Sequence, residues 1–389
     1  MIHYNFPRIE TIDDVLPHLE NRSEFNVTQR PDYTVISYSV QTPETFKWDP
    51  DDPVGSAMRR ECRGLIFESD GMNRIIRRPF HKFKNVNEDE QYQIQNIDLN
   101  RAHWIREKMD GSMIAPFFIP GSDRVVYGTK RGLTDIGNDA ARFVVNSWSP
   151  ECRNWVNQFL KDGYTPIFEW CGPNNRIVVD YESTQLTLIG VRNRITGEYL
   201  VDLHSLGFPG SVVNEPEIIN GDYSVSDIVN KCQTLENEEG YVLTFNDGHM
   251  VKFKGDWYLQ IHKNKEMVNS LRLIINLVYN NRLDDAISVL PATDQNYVND
   301  QVGDFMSWYH HACVVLEHHL DRIRENYGDD RKRIAQEYMV HLDKTMTSLL
   351  FESIGSGRSV ADCFWNRVGQ VSERSNKRFD EFVNWIKSV

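Results

Sequence analysis

The segment WIREKMDGSMIAPFFI, residues 104–119, determines how this sequence is interpreted. Both of its ends are strand-like, and Asp110-Gly111 between them predicts a tight turn. Lys108 would then be held between two strands of a core sheet, on scaffold rigid enough to aim a reactive side chain. A solvated lysine before a turn is the alternative, because a Lys-x-Asp-Gly string is expected by chance in roughly one chain in ten of this length.

Short strand-like runs continue on both sides of this segment, from about residue 30 to residue 255. Only two segments of that region have a helical pattern, residues 137–148 and 151–161. Because strand follows strand with few helices between them, the pattern predicts an α+β fold with a largely antiparallel sheet. The runs are TVISYSV, GLIFES, MIAPFFI, RVVYGT, PIFEW, QLTLIGVR, GYVLTF and MVKFK.

The pattern changes after residue 257, where apolar residues recur at helical spacing and strand-like runs are nearly absent. We therefore predict a first domain over residues 1–257 and an all-helical C-terminal domain over residues 258–389. The predicted helices are separated by the turn-like strings DQNYVND, YGDD and GSGRS. They cover residues 258–280, 299–325, 328–352 and 373–388.

Composition excludes several classes of protein. A formal net charge of -13 over 389 residues argues against non-specific attraction to phosphate, so any contact with a polyanion must come from local Lys/Arg clusters. The six cysteines include no C-x-x-C pair, which favours a reduced, cytoplasmic protein. The N-terminus lacks the pattern of a signal peptide and no apolar run reaches eighteen residues, so we expect no export and no membrane span.

Two lysines of the string MVKFK are candidates for binding phosphate. Lys252 and Lys254 alternate along the predicted strand and share one face, while Phe253 takes the other. A solvent-facing edge strand is the alternative for this pair. Nearby cations would also serve Lys108, because a lysine attacks phosphorus only as the neutral amine and its pKa must fall below the ordinary value of about 10.4.

Two carboxylates are candidates for work beside Lys108. Glu169 lies within the apolar strand PIFEW, where a charged residue is costly unless it is paired or bound to metal. Glu239 precedes Gly240 at the start of another strand, and oxygen ligands of this kind suit Mg²⁺. Glu239 also belongs to an acidic run with Glu236 and Glu238, and such a run is usually solvated surface.

Nine short motifs follow one another along the chain. They are ECRGLIFE (61–68), RPFHKFKNVNE (78–88), EKMDGS (107–112), GTKRG (128–132), IFEW (167–170), NRIV (175–178), LIGVRN (188–193), ENEEGYV (236–242) and KFKGDWY (252–258). In this order they resemble the RNA ligase 1 family of T-even bacteriophages, within the lysine nucleotidyltransferase superfamily of ligases and mRNA capping enzymes. Any one of these strings could occur by chance, but nine in the family's order do not.

The resemblance implies that Lys108 takes AMP from ATP and that Glu169 contacts the ribose. Glu239 is the implied metal-associated acid, for Mg²⁺ or Mn²⁺, and Asp110 belongs to the catalytic motif. The remaining implied positions contact the nucleotide or its phosphates, or are glycines that let the backbone approach the ligand. They are Arg63, Lys82, Gly111, Lys130, Gly240, Lys252 and Lys254.

Two positions leave alternatives open. Arg63 follows Arg59 and Arg60, so MRRECR could be a simple basic surface loop. The chain also has Lys84 in Lys-Phe-Lys-Asn, where family members commonly have Lys-Phe-Phe-Asn. This change puts an aromatic contact in doubt, although a lysine there could add a contact to phosphate.

The function implied is that of an ATP-dependent RNA ligase, which joins RNA 5′-phosphate and 3′-hydroxyl ends through lysine-AMP and RNA-adenylate intermediates. Cleaved tRNA is the implied substrate, with residues 258–389 linked to that preference. We expect a monomer in the cytoplasm, that of the host if a phage encodes it. The alternatives are a DNA ligase or mRNA capping-type nucleotidyltransferase, which usually add a β-barrel where this chain has helices, and a catalytically silent RNA-binding protein.

Overall fold

The chain divides into two compact units, Met1–Leu259 and Gln260–Val389. The structure is a computed structural model that describes residues 5–38, 44–216, 223–268, 270–280, 283, 287, 290 and 292–389. The α+β class is confirmed, because strands dominate the first unit and helices the second.

The described part of the first unit contains eleven strands in three antiparallel sheets. Their orders are β1-β2-β3-β4, β11-β10-β5 and β7-β6-β8-β9. The strands are β1 (Phe25–Gln29), β2 (Tyr33–Tyr38), β3 (Leu65–Glu68), β4 (Ile75–Arg77), β5 (His103–Glu107), β6 (Ser112–Phe118), β7 (Val125–Gly128), β8 (Tyr164–Cys171), β9 (Gln185–Asn193), β10 (Gly240–Phe245) and β11 (Met250–Lys254).

Each of the eight predicted strand-like runs contributes to one of these strands, so this part of the prediction is confirmed. The last two residues of TVISYSV, 39 and 40, lie outside the described residues. The two predicted helices are also present, and each begins at a residue whose side chain caps it, Thr134 and Ser149. They are α2 (Asp135–Ser147) and α3 (Pro150–Lys161), with α1 (Pro53–Glu61) earlier in the chain and α4 (Val225–Gln233) later.

Helix α1 disproves the surface-loop interpretation of MRRECR. Asp52 caps the helix by accepting from the Gly55 N–H, and Arg59 and Arg60 within it are 8% and 1% exposed. The motif that begins at Glu61 is also internal. Its carboxylate is buried with Arg78 and Arg192, at 3.1 Å and 2.7 Å, so this part of the motif holds the fold together.

The segment around Lys108 differs from the predicted hairpin. β5 pairs with β10, whereas β6 pairs with β7 and β8, so residues 108–111 pass from one sheet to another. The turn signal of Asp110-Gly111 is local and cannot specify which strands pair. As a result, Lys108 lies between two sheets, and its N–H donates to the carbonyl oxygen of Gly240 at 2.7 Å.

The second unit is helical in its described part and has one main hydrophobic core, formed by residues such as Phe305, Leu316 and Phe364. The turns at YGDD and GSGRS are present, and left-handed Gly357 ends the helix before the second of them. The turn predicted at DQNYVND is wrong, because those residues lie inside one long helix. The helices are α5 (Asp256–Val268), which crosses the division between the units, then α6 (Leu271–Tyr279), α7 (Ala292–Tyr327), α8 (Lys344–Ser356), α9 (Val360–Ser372) and α10 (Asn376–Ser388).

Short helical turns over residues 331–341 replace part of the helix predicted at 328–352, and α9 was not predicted. Within the described residues, every helix is too short or too polar to span a lipid bilayer.

Candidate functional site

Lys108 lies at one end of a chain of three charged side chains. Its Nζ is 2.6 Å from Oε2 of Glu239, and the Nζ of Lys254 is 2.9 Å from Oε1 of the same carboxylate. Glu239 is only 4% exposed, unlike Glu236 and Glu238, which are exposed. The solvated-surface interpretation of Glu239 is therefore wrong, because the start of β10 turns this carboxylate inward between the two lysines.

The ionisation of Lys108 differs from the expectation drawn from the sequence. Burial alone would lower the pKa of Lys108, but the neighbouring carboxylates Glu239 and Glu169 outweigh it and raise the pKa above its ordinary value. For Glu239 the balance is reversed. Burial favours its neutral form, yet Lys108 and Lys254 hold the pKa of this carboxyl below its usual range. Without a nucleotide, Lys108 is therefore an ammonium group.

Glu169 faces the same site from β8. Burial raises the pKa of Glu169 to about 8, against the opposing effect of Lys108 and with added repulsion from Glu239. The N–H of Gly111 also donates to this carboxylate. A carboxyl with a pKa near neutrality can change its protonation state when a cation or a ligand enters.

Asp110, next to the site, is almost fully buried, at 2% exposed. One carboxylate oxygen accepts from the N–H groups of Val178 and Val179 at 2.7 Å and 2.8 Å. The other accepts from the hydroxyl of Tyr258 at 2.8 Å. The geometry makes Asp110 an anchor for the turn that carries Lys108, since both of its carboxylate oxygens accept from the protein itself.

A cavity of about 260 Å³ opens beside Lys108, between the sheets that contain β5 and β8. Its polar wall includes Lys108, Glu169, Arg63 and Lys252, while much of the remainder is apolar. An apolar slot with a few charged groups is typical of a site for a flat ring joined to an anion. The apolar wall comprises Phe80, Phe83, Met113, Ile189, Val213, Val242 and Met250.

Lys252 and Lys254 share one face of β11, with Phe253 buried on the other, so the predicted alternation is confirmed. Lys252 differs from Lys254 in having no carboxylate partner among the residues that the structure describes. Its Nζ lies 4.8 Å from the centre of the Phe83 ring. Burial and then repulsion, first from Arg63, lower the pKa of Lys252 well below its ordinary value.

The three other predicted basic residues surround Tyr38. Burial raises the pKa of this tyrosine, but Arg63 and Lys130 outweigh burial and the net shift is downward. The Nζ of Lys130 lies 4.0 Å from the centre of the Tyr38 ring. Burial, followed by repulsion from Arg63, lowers the pKa of Lys82 to about 8.

Arg63 leaves one donor of its guanidinium unused. Its Nη1 donates to the carbonyl oxygen of His81 at 2.9 Å, whereas its buried Nε has no hydrogen-bond partner in the described part of the chain. A buried, unpaired donor among cations suits an anion. Sequence reasoning missed Tyr38, and its only signal was its position within the predicted strand TVISYSV.

The two predicted glycines are required by the protein backbone itself. A Cβ on Gly111 would lie 2.3 Å from the carbonyl oxygen of Trp170, and one on Gly240 would lie 2.0 Å from that of Phe253. Gly240 also has φ of +140°, a conformation that residues with a side chain rarely adopt. Both glycines therefore permit close packing around Lys108.

Lys84, the departure from the family pattern, is buried and paired. Its Nζ lies 2.8 Å from Oδ2 of Asp89, so the side chain is held by a carboxylate of its own loop. The extra phosphate contact suggested by the sequence stays a prediction, and without a ligand Lys84 is paired with Asp89.

The residues around Lys108 offer two carboxylates to a divalent ion, Glu239 and Glu169. Across the described residues, no cluster of three or more His, Cys, Asp or Glu side chains is arranged to hold a metal. The donors nevertheless fit a magnesium-type ion, because Glu239 and Glu169 repel each other and such ions complete their shells with water and phosphate oxygens.

Comparison with known proteins identifies first the class and then the family. The class is that of the ligases, because a family model described as RNA ligase matches residues 61–258, or 198 of the 389 residues. The chain belongs to this RNA ligase family. The resemblance found in the nine motifs is thereby confirmed.

Two relatives and one solved structure illustrate the similarity. A candidate RNA ligase of Thermovibrio ammonificans is 28% identical over 294 residues, covering 72% of each chain. A candidate bifunctional polynucleotide kinase/RNA ligase of Autographa californica nuclear polyhedrosis virus is 30% identical over 283 residues, covering 67% of this chain and 38% of that longer one. An archaeal ATP-dependent RNA ligase structure has a TM-score of 0.44, with 14% identity over 76% of each chain.

Proposed function

We propose that this protein is an ATP-dependent RNA ligase in which Lys108 is the nucleophile that accepts AMP. The observation that carries the proposal is the placement of the Lys108 amine. It is held 2.6 Å from Glu239, on the wall of a cavity that also contains Glu169, Arg63 and Lys252. Membership of the RNA ligase family supports the same reaction class.

The reaction would proceed through three transfers at phosphorus. The neutral amine of Lys108 attacks the α-phosphorus of ATP, a P–N bond forms, and pyrophosphate leaves. A 5′-phosphate oxygen of RNA then attacks the same phosphorus and releases the lysine, which gives an RNA-adenylate. Finally, a 3′-hydroxyl attacks the RNA phosphorus, a phosphodiester forms, and AMP leaves with the bonding electron pair.

The first transfer requires Lys108 to lose a proton that its neighbours stabilise. In the ligand-free site that proton is on Lys108 and is stabilised by Glu239, and Glu169, with a pKa of about 8, is the nearby group suited to exchange one. A bound divalent ion, held by Glu239 and Glu169, would neutralise charge on the phosphates and weaken the hold of Glu239 on Lys108.

The cations beyond Lys108 would bind the phosphates. Lys252 lines the same cavity without a carboxylate partner in the described part of the chain, and Arg63 has an unused Nε donor. Lys82 and Lys130 lie near Arg63, grouped around Tyr38. An entering triphosphate would replace mutual repulsion with attraction, which favours charged lysines and stabilises the developing charge.

The substrate assignments rest on the resemblance. We propose RNA with a 5′-phosphate and a 3′-hydroxyl as the substrate, cleaved tRNA as the natural one, and residues 258–389 as the region that recognises it. We also propose a cytoplasmic monomer, with residues 1–257 performing adenylyl transfer.

The decisive experiment is incubation with α-labelled ATP and Mg²⁺, followed by a denaturing gel. We expect label on the wild type and none on Lys108→Ala. Lys47→Ala, which removes an exposed lysine paired with Glu44, is the matched control and should keep the label. Wild-type protein without covalent label would refute the proposal and leave a silent RNA-binding protein as the better interpretation.

A second experiment decides between RNA and DNA. Strands of either polymer, with one 5′-phosphate and one 3′-hydroxyl end, are compared at the same concentration. We expect sealing of RNA, and a cleaved tRNA should be sealed faster than an unstructured RNA with identical ends. Efficient DNA sealing with poor RNA sealing would contradict the choice of polymer.

A further inference from the structure

Residues 84–86 form an extra, parallel partner for β11 at Lys252. The N–H of Lys252 donates to the carbonyl oxygen of Lys84 at 3.0 Å, and the N–H of Val86 donates to that of Lys252 at 2.8 Å. Asn85 is the residue paired with Lys252 in this bridge. On its other side Lys252 pairs with Val242 of β10. The backbone of Lys252 is therefore fixed on both sides.

A partly buried ion pair closes the loop that contains this bridge. The Nζ of Lys84 lies 2.8 Å from Oδ2 of Asp89, and Lys84 is only 8% exposed. The other oxygen of Asp89 accepts from the N–H of Gln91 at 3.0 Å and caps a short helical turn. A further backbone bond, from Asn87 to Tyr92 at 2.8 Å, completes the loop. Asp89 thus links Lys84, at the start of the loop, to the helical turn at the end of the loop.

We infer that Lys84 and Asp89 are positioning residues for Lys252, which they hold at the nucleotide site through the backbone of residues 84–86. The inference rests on the proposed function, in which Lys252 binds phosphate. It gives a role to the position where the chain departs from its family, because an ion pair here replaces an aromatic contact.

Electrostatics explain why Lys252 needs to be held. Its side chain has no carboxylate partner among the described residues, and its charged neighbours are Arg63, Lys82, Lys108 and Lys254. Mutual repulsion would move a flexible lysine away from these groups while no phosphate is bound. A fixed backbone limits that movement. A partly buried ion pair suits this task, because it fixes the positions of both side chains even where its net contribution to stability is small.

The ion pair can be removed from either end with little change of shape. Lys84→Met keeps the unbranched side chain and removes the charge. Asp89→Asn removes the charge but keeps an oxygen that can cap the helical turn. We expect each variant to slow lysine-AMP formation about ten-fold, since small displacements of a group that contacts the reacting phosphates have effects of this order or larger. The loss should fall on kcat, with KM for ATP little changed.

The mechanism predicts how the variants combine. Lys84→Met together with Asp89→Asn should lose about as much as either alone. The residual rate of lysine-AMP formation in Lys252→Ala is measured in single turnovers. Adding Lys84→Met to Lys252→Ala should not lower this rate further. Asp52→Asn is the matched control. Asp52 also caps a helix and pairs with a buried cation, Arg59 at 2.9 Å, but it has no bond to the strand of Lys252.

Two results would overturn the inference. The first is a wild-type rate in Asp89→Asn, the variant that carries the test if Lys84→Met does not fold. The second is a loss in Lys84→Met that multiplies with that of Lys252→Ala, since independent effects mean that Lys84 does not act through Lys252. Absence of label from the wild type would instead refute the proposed function, so the two failures are distinguishable.

Discussion

Replacement of Asp110 separates the anchoring of the reactive turn from direct participation in the reaction. The Asp110 carboxylate is buried and accepts three hydrogen bonds. Two come from the backbone N–H groups of Val178 and Val179 and one comes from the hydroxyl of Tyr258. If Asp110 acts only as an anchor, activity should depend on whether the substituted side chain can keep these bonds.

The expected stabilities follow from the hydrogen bonds. Asp110→Ala leaves two buried N–H groups unpaired, and each costs about 1–3 kcal/mol, so the free energy of unfolding should fall by roughly 2–6 kcal/mol. Tyr258 still has Glu239 as a neighbour and adds little. Asp110→Asn keeps one oxygen for the two N–H groups and offers its NH₂ to the tyrosine oxygen. It loses only the added strength of charge-assisted bonds, about 1–2 kcal/mol.

Urea unfolding followed by tryptophan fluorescence measures the stabilities, and labelling with α-labelled ATP measures the reaction at a temperature where all variants are folded. We expect Asp110→Asn to retain most of the labelling rate and Asp110→Ala to lose it. A stable Asp110→Asn protein that forms no label would show that the carboxylate acts on the reaction itself. Unchanged stability in Asp110→Ala would disprove the anchor.

Three further predictions concern the groups around Lys108. Glu239→Gln should reduce lysine-AMP formation about 10²-fold, as measured by covalent label, while gel filtration shows a folded protein. Near-normal labelling would show that Glu239 has no part in this reaction. Gly240→Ala should abolish labelling, because its Cβ would lie 2.0 Å from the carbonyl oxygen of Phe253. Gly121→Ala is the control: Gly121 also has a positive φ but lies in open space, so its replacement should cost only about 1–2 kcal/mol of stability. The affinity for pyrophosphate, measured by calorimetry, should fall as pH rises through about 8, because Lys82 loses its proton there. In Lys82→Met this fall in affinity should be absent.

The lowered pKa of Lys82 also makes the free energy of unfolding depend on pH. The unfolded chain, with an ordinary lysine pKa of about 10.4, binds more protons than the folded chain above pH 8. Stability of the ligand-free protein therefore rises with pH over that window, as far as Lys82 is concerned. A flat dependence there, in wild type and Lys82→Met alike, would contradict the shift.

Local patterns predicted the strands and the side-chain faces because these depend on neighbouring residues. The alternation in MVKFK was sufficient to place Lys252 and Lys254 together, and the apolar run around Glu169 was sufficient to single out this half-buried carboxylate. The pairing of β5 with β10 was beyond such patterns, since it joins residues more than a hundred positions apart. The same limit applies to Asp110, whose partners Val178 and Tyr258 are distant in sequence.

The turn predicted at DQNYVND failed for a different reason. Asp and Asn disfavour helices only weakly, and burial can override that preference. In α7 the residue Val298, within the same string, is 0% exposed, so a helix that buries it is favoured over a turn that would not. The pKa of Lys108 was mispredicted on similar grounds, because the sequence shows which cations exist but not that Glu239 lies closest.

The arrangement of charge explains how an acidic chain could select a compact polyanion. With a net charge of -13, the protein has little general attraction for a nucleic-acid backbone. Its site instead contains cations that repel one another, since Arg63 lowers the pKa of both Lys82 and Lys252. A triphosphate would supply the negative charge that no described carboxylate provides to Lys252. The attraction between the phosphates and these cations would be strongest where the cations are buried. Selectivity would then come from a few enclosed cations, which predicts that added salt weakens binding of an extended RNA more than binding of ATP.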